Sequence, residues 1–431
     1  MREKKIVYVG LSADILHEGH INILKIASKL GDVTVGLLTD TAISTYKKFP
    51  HLKYKQRATI LRSLKYVKNI IPQETLDYIK NLKIIKPDFL VHGNDWKKGV
   101  QKKTRKRALK VLKNWGGKLI EPQYTKNISS SQIYKKIAKI GTTPDSRRSK
   151  LKRLIHAKNL VRIIESHNAL TGLIIEKLNI TKNGRYFEFD GLWSSSLTDS
   201  VVRGKPDNQS VDYSTRMLSL NEILDVTTKP VIFDADNGGR IEHLPYLIKS
   251  LDRAGISAIV LEDKVGLKKN SLFKNQSGIK LNSIKQFCEK IGKARNSRVS
   301  DDLMIVARLE SLILGKGLKD AIKRAEAYSQ AGADAIVIHS KEKTPNEIFA
   351  FANKFRKSKY VKPMISIPST YSRTREKELI ENGFKIVIYA NHFLRAAYPA
   401  MLNVAKKILK HQRSFEVEKD ISSIKEILNL I

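Results

Sequence analysis

Two groups of residues in this 431-residue chain are of kinds, and at intervals, suited to a catalytic site. The first lies near the start, in SADILHEGH (12–20), where His17 and His20 bracket Glu18-Gly19 ahead of an amphipathic stretch. A glycine at such a turn lets backbone approach a phosphate, and the helix end that follows offers free N–H groups and positive dipole. Two imidazoles three residues apart can both reach one phosphoryl group and stabilise charge as it builds in the transition state. The same pair would also suit helix capping or zinc, although no third ligand of matching type accompanies it. The second group lies further on, where successive apolar runs end in Asp236, Glu262, Arg308 and His339. One acid in such a place is most simply an N-cap. Four run ends carrying acid, acid, arginine and histidine point to function.

The elements that must hold these groups can be read from periodicity. Over residues 1–138, IVYVGL (6–11), VTVGLL (33–38), FLVHG (89–93) and KLIEP (118–122) read as buried strands. INILKIASKL (21–30), the stretch around RATILRSL (57–64) and TRKRALKVLKNW (104–115) have helical spacing. Strands alternating with helices predict a Rossmann-like, doubly wound parallel sheet. Residues 139–150 then lose periodicity and gather Gly, Pro, Ser and charge, which reads as a linker. A second alternating series fills 151–431, with strand candidates RIIESHNAL, FEFDGLW, PVIFDAD, AIVLED, MIVARLE, AIVIHS, MISIPS and IVIYAN. Eight such runs separated by helical segments predict a (β/α)₈ TIM-type barrel followed by C-terminal helices. In a barrel the polar run ends crowd the C-terminal rim, where the loops after parallel strands build active sites.

Composition narrows the function classes. The chain holds 80 Lys+Arg against 42 Asp+Glu, a formal charge of +38. Such a charge favours anions, either nucleic acid or phosphorylated small molecules. KKGVQKKTRKR (97–107) and SRRSKLKR (146–153) are the places that would hold RNA. No ladder of aromatics for base stacking interleaves them, and the lysines spread along the whole chain, so no nucleic-acid partner is expected. One cysteine, Cys288, excludes a disulfide framework and any cysteine-built zinc or iron–sulfur site, and is expected to be a packed small residue. No apolar run approaches the roughly 18 residues a membrane span needs, and MREKKIVYVGL lacks a signal-peptide shape. A soluble, cytoplasmic protein is expected.

Further pieces follow the HEGH turn in order: Lys47-Lys48, Arg57, GNDW (93–96) and ISSSQI (128–133), which opens the last helix of the first domain. With them, residues 5–138 resemble the cytidylyltransferase family of the HxGH nucleotidyltransferase superfamily, best matched by glycerol-3-phosphate cytidylyltransferases. The resemblance implies that His17 and His20 bind the CTP phosphates and that Lys47 or Lys48, with Arg57, steadies the triphosphate. It places Asp95 and Trp96 near the cytosine, and Ser129 and Ser130 on phosphate at the last helix. Two departures stand out. The family's GTFD reads LSAD (Leu11 to Asp14), with the glycine one place early at Gly10, and its Arg-Thr reads Tyr124-Thr125. The lost arginine points away from glycerol-3-phosphate as acceptor.

Residues 151–415 resemble phosphoenolpyruvate mutase, of the isocitrate lyase superfamily, nearly end to end. The carriers are ESHNAL (165–170), GLWSSSL (191–197), RGKPDN (203–208), DADNGG (234–239), LEDKVGLKKNSL (261–272), IVARLES (305–311), RAEAYSQAGADAIVIHSK (324–341) and ANHFLRA (390–396). The resemblance implies Mg²⁺ bound directly by Asp234 and through waters by Asp236 and Glu262, the ligand type that hard cation prefers. It implies that Trp193, Ser195, Ser196, Leu197, Lys268, Asn270, Arg308 and His339 bind substrate. Asp207 would be the nucleophile or the partner of a transient metaphosphate. Isocitrate and methylisocitrate lyases carry a cysteine in a KKCGH-type loop, where EDKVGLKKNS stands here. Phosphonopyruvate hydrolases usually have threonine at the place of Asn270, so Asn270 favours a mutase. ITKNGRYFE (180–188) looks like an insertion relative to stand-alone mutases.

The order of the two domains resembles the two-domain enzymes of fosfomycin biosynthesis. It implies that phosphoenolpyruvate becomes phosphonopyruvate in the barrel, and that CMP passes from CTP to a later phosphonate in the first domain. A tetramer is implied as well. The intact Asp207, Asp234, Asn270, Arg308, His17 and His20 argue against a non-catalytic RNA-binding scaffold.

Overall fold

The computed structural model describes residues 4–97, 101–123, 141–266, 268–273 and 275–431. The chain divides into two compact units, residues 1–140 with 179–187, and residues 141–178 with 188–431.

In the first unit β1 (Ile6–Leu11), β2 (Asp32–Leu38), β3 (Asn69–Gln73), β4 (Phe89–Val91) and β5 (Lys118–Ile120) form a sheet ordered β3-β2-β1-β4-β5. All its pairings are parallel. Strand alternation divides the core between the two faces. Val7, Val9 and Leu11 join Val33, Val35, Leu24 and Leu61 on one side, whereas Tyr8 points to Tyr78, Leu82, Leu90 and Trp96 on the other. β3 was not among the expected strands, because NIIPQ carries Pro72. At a sheet edge the missing N–H is tolerated. The order reverses at β1, so the HEGH turn after β1 and GNDW after β4 meet at the switch point where such sheets bind ligands.

In chain order the second series is β6 (Val161–Glu165), a hairpin of β7 (Asn179–Lys182) and β8 (Arg185–Glu188), β9 (Gly191–Ser194), β10 (Val231–Asp234) and β11 (Ala258–Glu262). A ribbon of β12 (Lys264–Val265) and β13 (Lys280–Leu281) follows, then β14 (Met304–Leu309), β15 (Ala335–Ile338), β16 (Met364–Ser366) and β17 (Phe384–Tyr389). Among the described residues, β6, β9, β10, β11, β14, β15, β16 and β17 close into a barrel. β17 pairs back on β6, with Ile386 opposite Val161. Each run read from the sequence supplies one of these strands, but FEFDGLW splits: its GLW lies in β9, and its start belongs to the hairpin.

The expected linker is corrected in its second half. Residues 144–150 open the helix Pro144–Ala157, which has Thr143 as N-cap and proline in its first turn, a start signal that resembles linker composition. Arg147 and Arg148 are buried in it. Arg147 Nη2 donates to the carbonyls of Leu224 (2.8 Å) and Thr227 (3.1 Å), and Arg148 Nε meets Asp252 at 2.6 Å. These two arginines therefore brace the barrel and do not form the basic surface that SRRSKLKR suggested. Cys288 is half-buried against the barrel core. Among the described residues no helix is long and apolar enough to cross a membrane.

Candidate active sites

The first site is a cavity of about 240 Å³ at the sheet's switch point, lined by Gly10, Ser12, His17, His20, Tyr46, Lys47, Tyr78, His92 and Asp95 among others. His17 sits at the N-cap of the helix Glu18–Ser28, and its buried Nδ1 has no hydrogen-bond partner. The His17 amide donates to His20 Nδ1 at 3.4 Å, which leaves Nε2 of His20 as the N–H donor. The two rings lie 4.0 Å apart between centroids. Burial lowers both imidazoles, His20 to about 3 with help from His17 and Lys47, so both are neutral donors at pH 7. Lys47 Nζ donates to Ser12 Oγ at 2.8 Å. Burial and the nearby Arg57 bring its ammonium down to about 8, against the opposite pull of Asp14, and it stays mostly charged.

A Cβ on Gly10 would stand 2.5 Å from the Tyr78 ring, so the strand needs its glycine there. Ala13 takes a φ of +45°, and Asp14 is fully buried, accepting from the amides of His51 (3.0 Å) and Leu52 (2.9 Å).

Several expected nucleotide contacts fall elsewhere. Arg57 is fully buried and does not line the cavity. It donates to the carbonyls of Ser12 (2.5 Å), Leu38 (2.8 Å) and Leu52 (3.2 Å) and to Asp40 Oδ1 (2.6 Å). It thus holds the loop behind Lys47, and its reach to a triphosphate is not seen. Lys48 is not among the lining residues either. Asp95 lines the cavity, whereas Trp96 is buried behind it, stacked on His92 with centroids 4.0 Å apart and donating to Glu121 at 2.7 Å. His92, which the sequence reading did not single out, presents the ring instead. Tyr124, Ser129 and Ser130 lie outside the described residues.

The second site occupies the barrel's C-terminal rim. Its cavity is lined by Trp193, Ser195, Leu197, Asp234, Lys268, Asn270, Arg308 and His339, with Ser271, Leu272 and Asn391. Lys268 Nζ stands among three carboxylates, 2.6 Å from Asp236, 3.0 Å from Asp207 and 3.9 Å from Asp234, and also contacts Ser196 Oγ. Burial alone would lower this ammonium, but those carboxylates raise it, so it remains charged. Asn270 Nδ2 donates to Asp207 Oδ2 at 2.8 Å, and Ser196 Oγ donates to Asp234 Oδ2 at 2.9 Å. Asp236 sits just beyond β10 with a φ of +50°, the kind of strained backbone that gathers at functional sites. Arg308 Nη2 donates to His339 Nδ1 at 3.1 Å. The same His339 nitrogen lies 3.4 Å from Glu310 Oε1, so the ring is held between a guanidinium and a carboxylate.

Two positioning groups were missed. Glu310 is fully buried and accepts from Arg308 Nε at 2.6 Å. Burial would raise its carboxyl, and Arg308 with His339 reverses this, holding it well below the usual range. Its signal was present in IVARLES, since residues two apart on a strand share a face. Arg216, fully buried, donates to Asp199 Oδ2 (2.7 Å) and the Asp234 carbonyl (2.5 Å) and lies over Phe233. No local pattern marks it, because its partners are distant in sequence.

The donor set fits a hard divalent cation. Both Glu262 oxygens are buried without a hydrogen-bond partner, and burial pushes its carboxyl up to about 7 against the pull of Arg308. Burial would also raise Asp234, but Lys268 and Arg308 keep it below its ordinary value. Among the described residues no three acid, histidine or cysteine side chains gather as a direct-ligand cage. Magnesium, which keeps several waters and takes one or two carboxylates, needs no such cage.

Residues 151–409 match the family model "Phosphoenolpyruvate phosphomutase", and residues 8–136 match "Cytidylyltransferase-like". A phosphoenolpyruvate phosphomutase of Tetrahymena pyriformis is 35% identical over 284 residues, 65% of this chain and 90% of that one. A phosphonopyruvate hydrolase of Variovorax is 33% identical over 282 residues, 65% of this chain and 93% of that one. The crystal structure of phosphoenolpyruvate phosphomutase from Streptomyces platensis covers 66% of this chain and 94% of its own, with a TM-score of 0.61 and 32% identity. A phosphonopyruvate hydrolase solved with oxalate and Mg²⁺ covers 67% of this chain and 95% of its own, with a TM-score of 0.59 and 32% identity. With its acid, arginine and histidine rim on a closed parallel barrel, and a nucleotidyltransferase-type sheet ahead of it, the chain belongs to the phosphoenolpyruvate phosphomutase family of the isocitrate lyase superfamily and carries an N-terminal cytidylyltransferase-like domain.

Proposed function

We propose that the barrel interconverts phosphoenolpyruvate and phosphonopyruvate, and that the first domain transfers CMP from CTP to a phosphonate made later from that product. The observation that carries the mutase reading is the Asn270–Asp207 hydrogen bond of 2.8 Å, which ties the transfer carboxylate to the loop residue that separates mutase from hydrolase resemblance. In the forward step the bond from phosphorus to the enol oxygen breaks and a bond from phosphorus to C3 forms, leaving a ketone. Arg308, His339 and Asn270 hold the migrating phosphoryl group, Ser195, Ser196 and Leu197 hold the carboxylate, and Asp207 faces the group in transit. Asp234, Asp236 and Glu262 would hold Mg²⁺, which would supply Lewis-acid neutralisation of the substrate oxygens.

In the first domain an acceptor phosphonate oxygen attacks the α-phosphorus of CTP, and pyrophosphate leaves. Lys47 and the neutral N–H groups of His17 and His20 meet the growing charge. Such catalysis is mostly positioning and charge neutralisation.

Phosphorus NMR of the chain with Mg²⁺ and phosphonopyruvate tests the barrel. Phosphoenolpyruvate is the expected product, and pyruvate with free phosphate as the main products would establish a hydrolase instead. Pyrophosphate release from CTP with 2-hydroxyethyl-, 2-hydroxypropyl- or 2-aminoethylphosphonate tests the first domain. Faster transfer to glycerol-3-phosphate than to all three would reject the acceptor class. The helix His392–His411 has no buried residue, with Tyr398, Met401 and Leu409 more than 60% exposed. Its uncovered apolar side chains support the tetramer reading, which light scattering checks.

A further inference from the structure

The ITKNGRYFE insertion folds as the β7–β8 hairpin, and residues 179–187 cluster with the first unit although the chain enters and leaves them through barrel segments. The hairpin is a stiff ribbon. Asn183 and Gly184 turn it with φ values of +53° and +74°, the conformation of a tight two-residue turn. Around such a turn the flanking residues, Lys182 and Arg185, share the ladder bonds, which leaves the next amide, that of Tyr186, facing outward. That amide donates to the Thr45 carbonyl at 3.3 Å.

Thr45 is the C-cap of the helix Asp40–Ser44, and carbonyls at a helix end have no partner within the helix. The next two residues, Tyr46 and Lys47, line the nucleotide cavity, and Lys47 reaches Ser12 Oγ from there. We propose that the 179–187 hairpin is a positioning segment of the nucleotide site, clamping the Thr45 carbonyl so that Tyr46 and Lys47 hold their places in the cavity. The inference rests on the reading of that cavity as a CTP site.

Two full-length variants test it, one with 180–187 replaced by a short Gly-Ser bridge and a milder Tyr186→Pro, which removes the outward N–H together with the tyrosine ring and leaves the ladder bonds; Tyr186→Ala, which loses the ring but keeps that N–H, is their control. Amide hydrogen exchange of residues 42–48, CTP kinetics and mutase turnover are followed together. Exchange at 42–48 should speed up in both variants. kcat/KM for CTP in Tyr186→Pro should fall roughly 2- to 12-fold relative to Tyr186→Ala, the fold-change of one net hydrogen bond. Part of that fall should appear in kcat, because Lys47 meets charge that grows in the transition state, and mutase turnover should be unchanged. Unchanged exchange in both variants would overturn the proposal, as would an equal loss of mutase turnover in Tyr186→Pro. If the wild-type chain bound no CTP, the nucleotide reading would fail separately, and the exchange contrast would still decide the hairpin's role.

Discussion

Replacing His17 by alanine separates a catalytic imidazole from a capping one. Side chains that cap a helix contribute about 1 kcal/mol by accepting an N–H of the first turn. At His17 the buried Nδ1 has no partner, so only ring contacts with His20 are lost. The stability change should therefore be about 0.5 kcal/mol or less, a shift of about 2 °C in the first unit's melting temperature. The kinetic change should be far larger. A neutral donor aimed at a group whose charge grows in the transition state contributes about 2.7–4 kcal/mol, so turnover should drop about 10²–10³-fold. The loss should fall mainly on kcat, since the interaction strengthens as the reaction proceeds. Pyrophosphate release at saturating CTP and acceptor, with a circular dichroism melt of the same preparation, reads both quantities. A loss of turnover below tenfold together with a melt lowered by more than about 5 °C would refute the catalytic assignment, because that is the signature of a cap.

Asp207→Ala should abolish phosphoenolpyruvate turnover and leave CMP transfer near wild type, because the two sites belong to separate compact units and share no lining residue. Comparable losses in both assays would contradict this. Arg216→Met should destabilise the barrel by about 3–5 kcal/mol in urea unfolding, since it strands the buried Asp199 charge. A change below about 1 kcal/mol would show that Asp199 finds another partner. The first unit should weaken in acid. Burial, with His17 and Lys47, lowers His20 to about 3 when folded, so the unfolded state binds the extra proton, and stability is full above pH 6.5 and falls as pH drops towards 3. About 2 kcal/mol of it should be gone by pH 5. His20→Gln should flatten the melting temperature between pH 5 and 7, and an unchanged slope would contradict the assignment.

What the sequence revealed follows from where side chains sit on regular elements. Asp234, Glu262, Arg308 and His339 were legible because each ends a buried strand run, and a parallel barrel sends all such ends to one rim. Glu310 went unread although it lies two residues past Arg308, because attention to strand ends overlooks the alternation that puts both on one face. Arg57 and Trp96 were read as ligand contacts from their motifs, but motif order does not say which way a side chain turns. One is drawn inward by three carbonyls and Asp40, the other by His92 and Glu121. Charge misled at 146–153, where two arginines are buried against barrel carbonyls and Asp252. The fold class was legible from periodicity, and the partition of the hairpin was not, since its contact to Thr45 joins residues 141 positions apart.

That partition bears on how the protein is made. The first unit extends to residue 140, but its final piece ends at residue 187, 47 residues later on the growing chain. At roughly 5–20 residues per second, the ribosome delivers that piece about 2–9 s after the rest. Through this interval the sheet β3-β2-β1-β4-β5 can form while the Thr45 carbonyl waits for Tyr186. The nucleotide domain is thus completed only once the first barrel strand, Val161–Glu165, has already been synthesised. A chain cut at residue 140 would keep the histidines and Lys47 but never receive the hairpin, so the two catalytic halves, separable on paper, share a birth order.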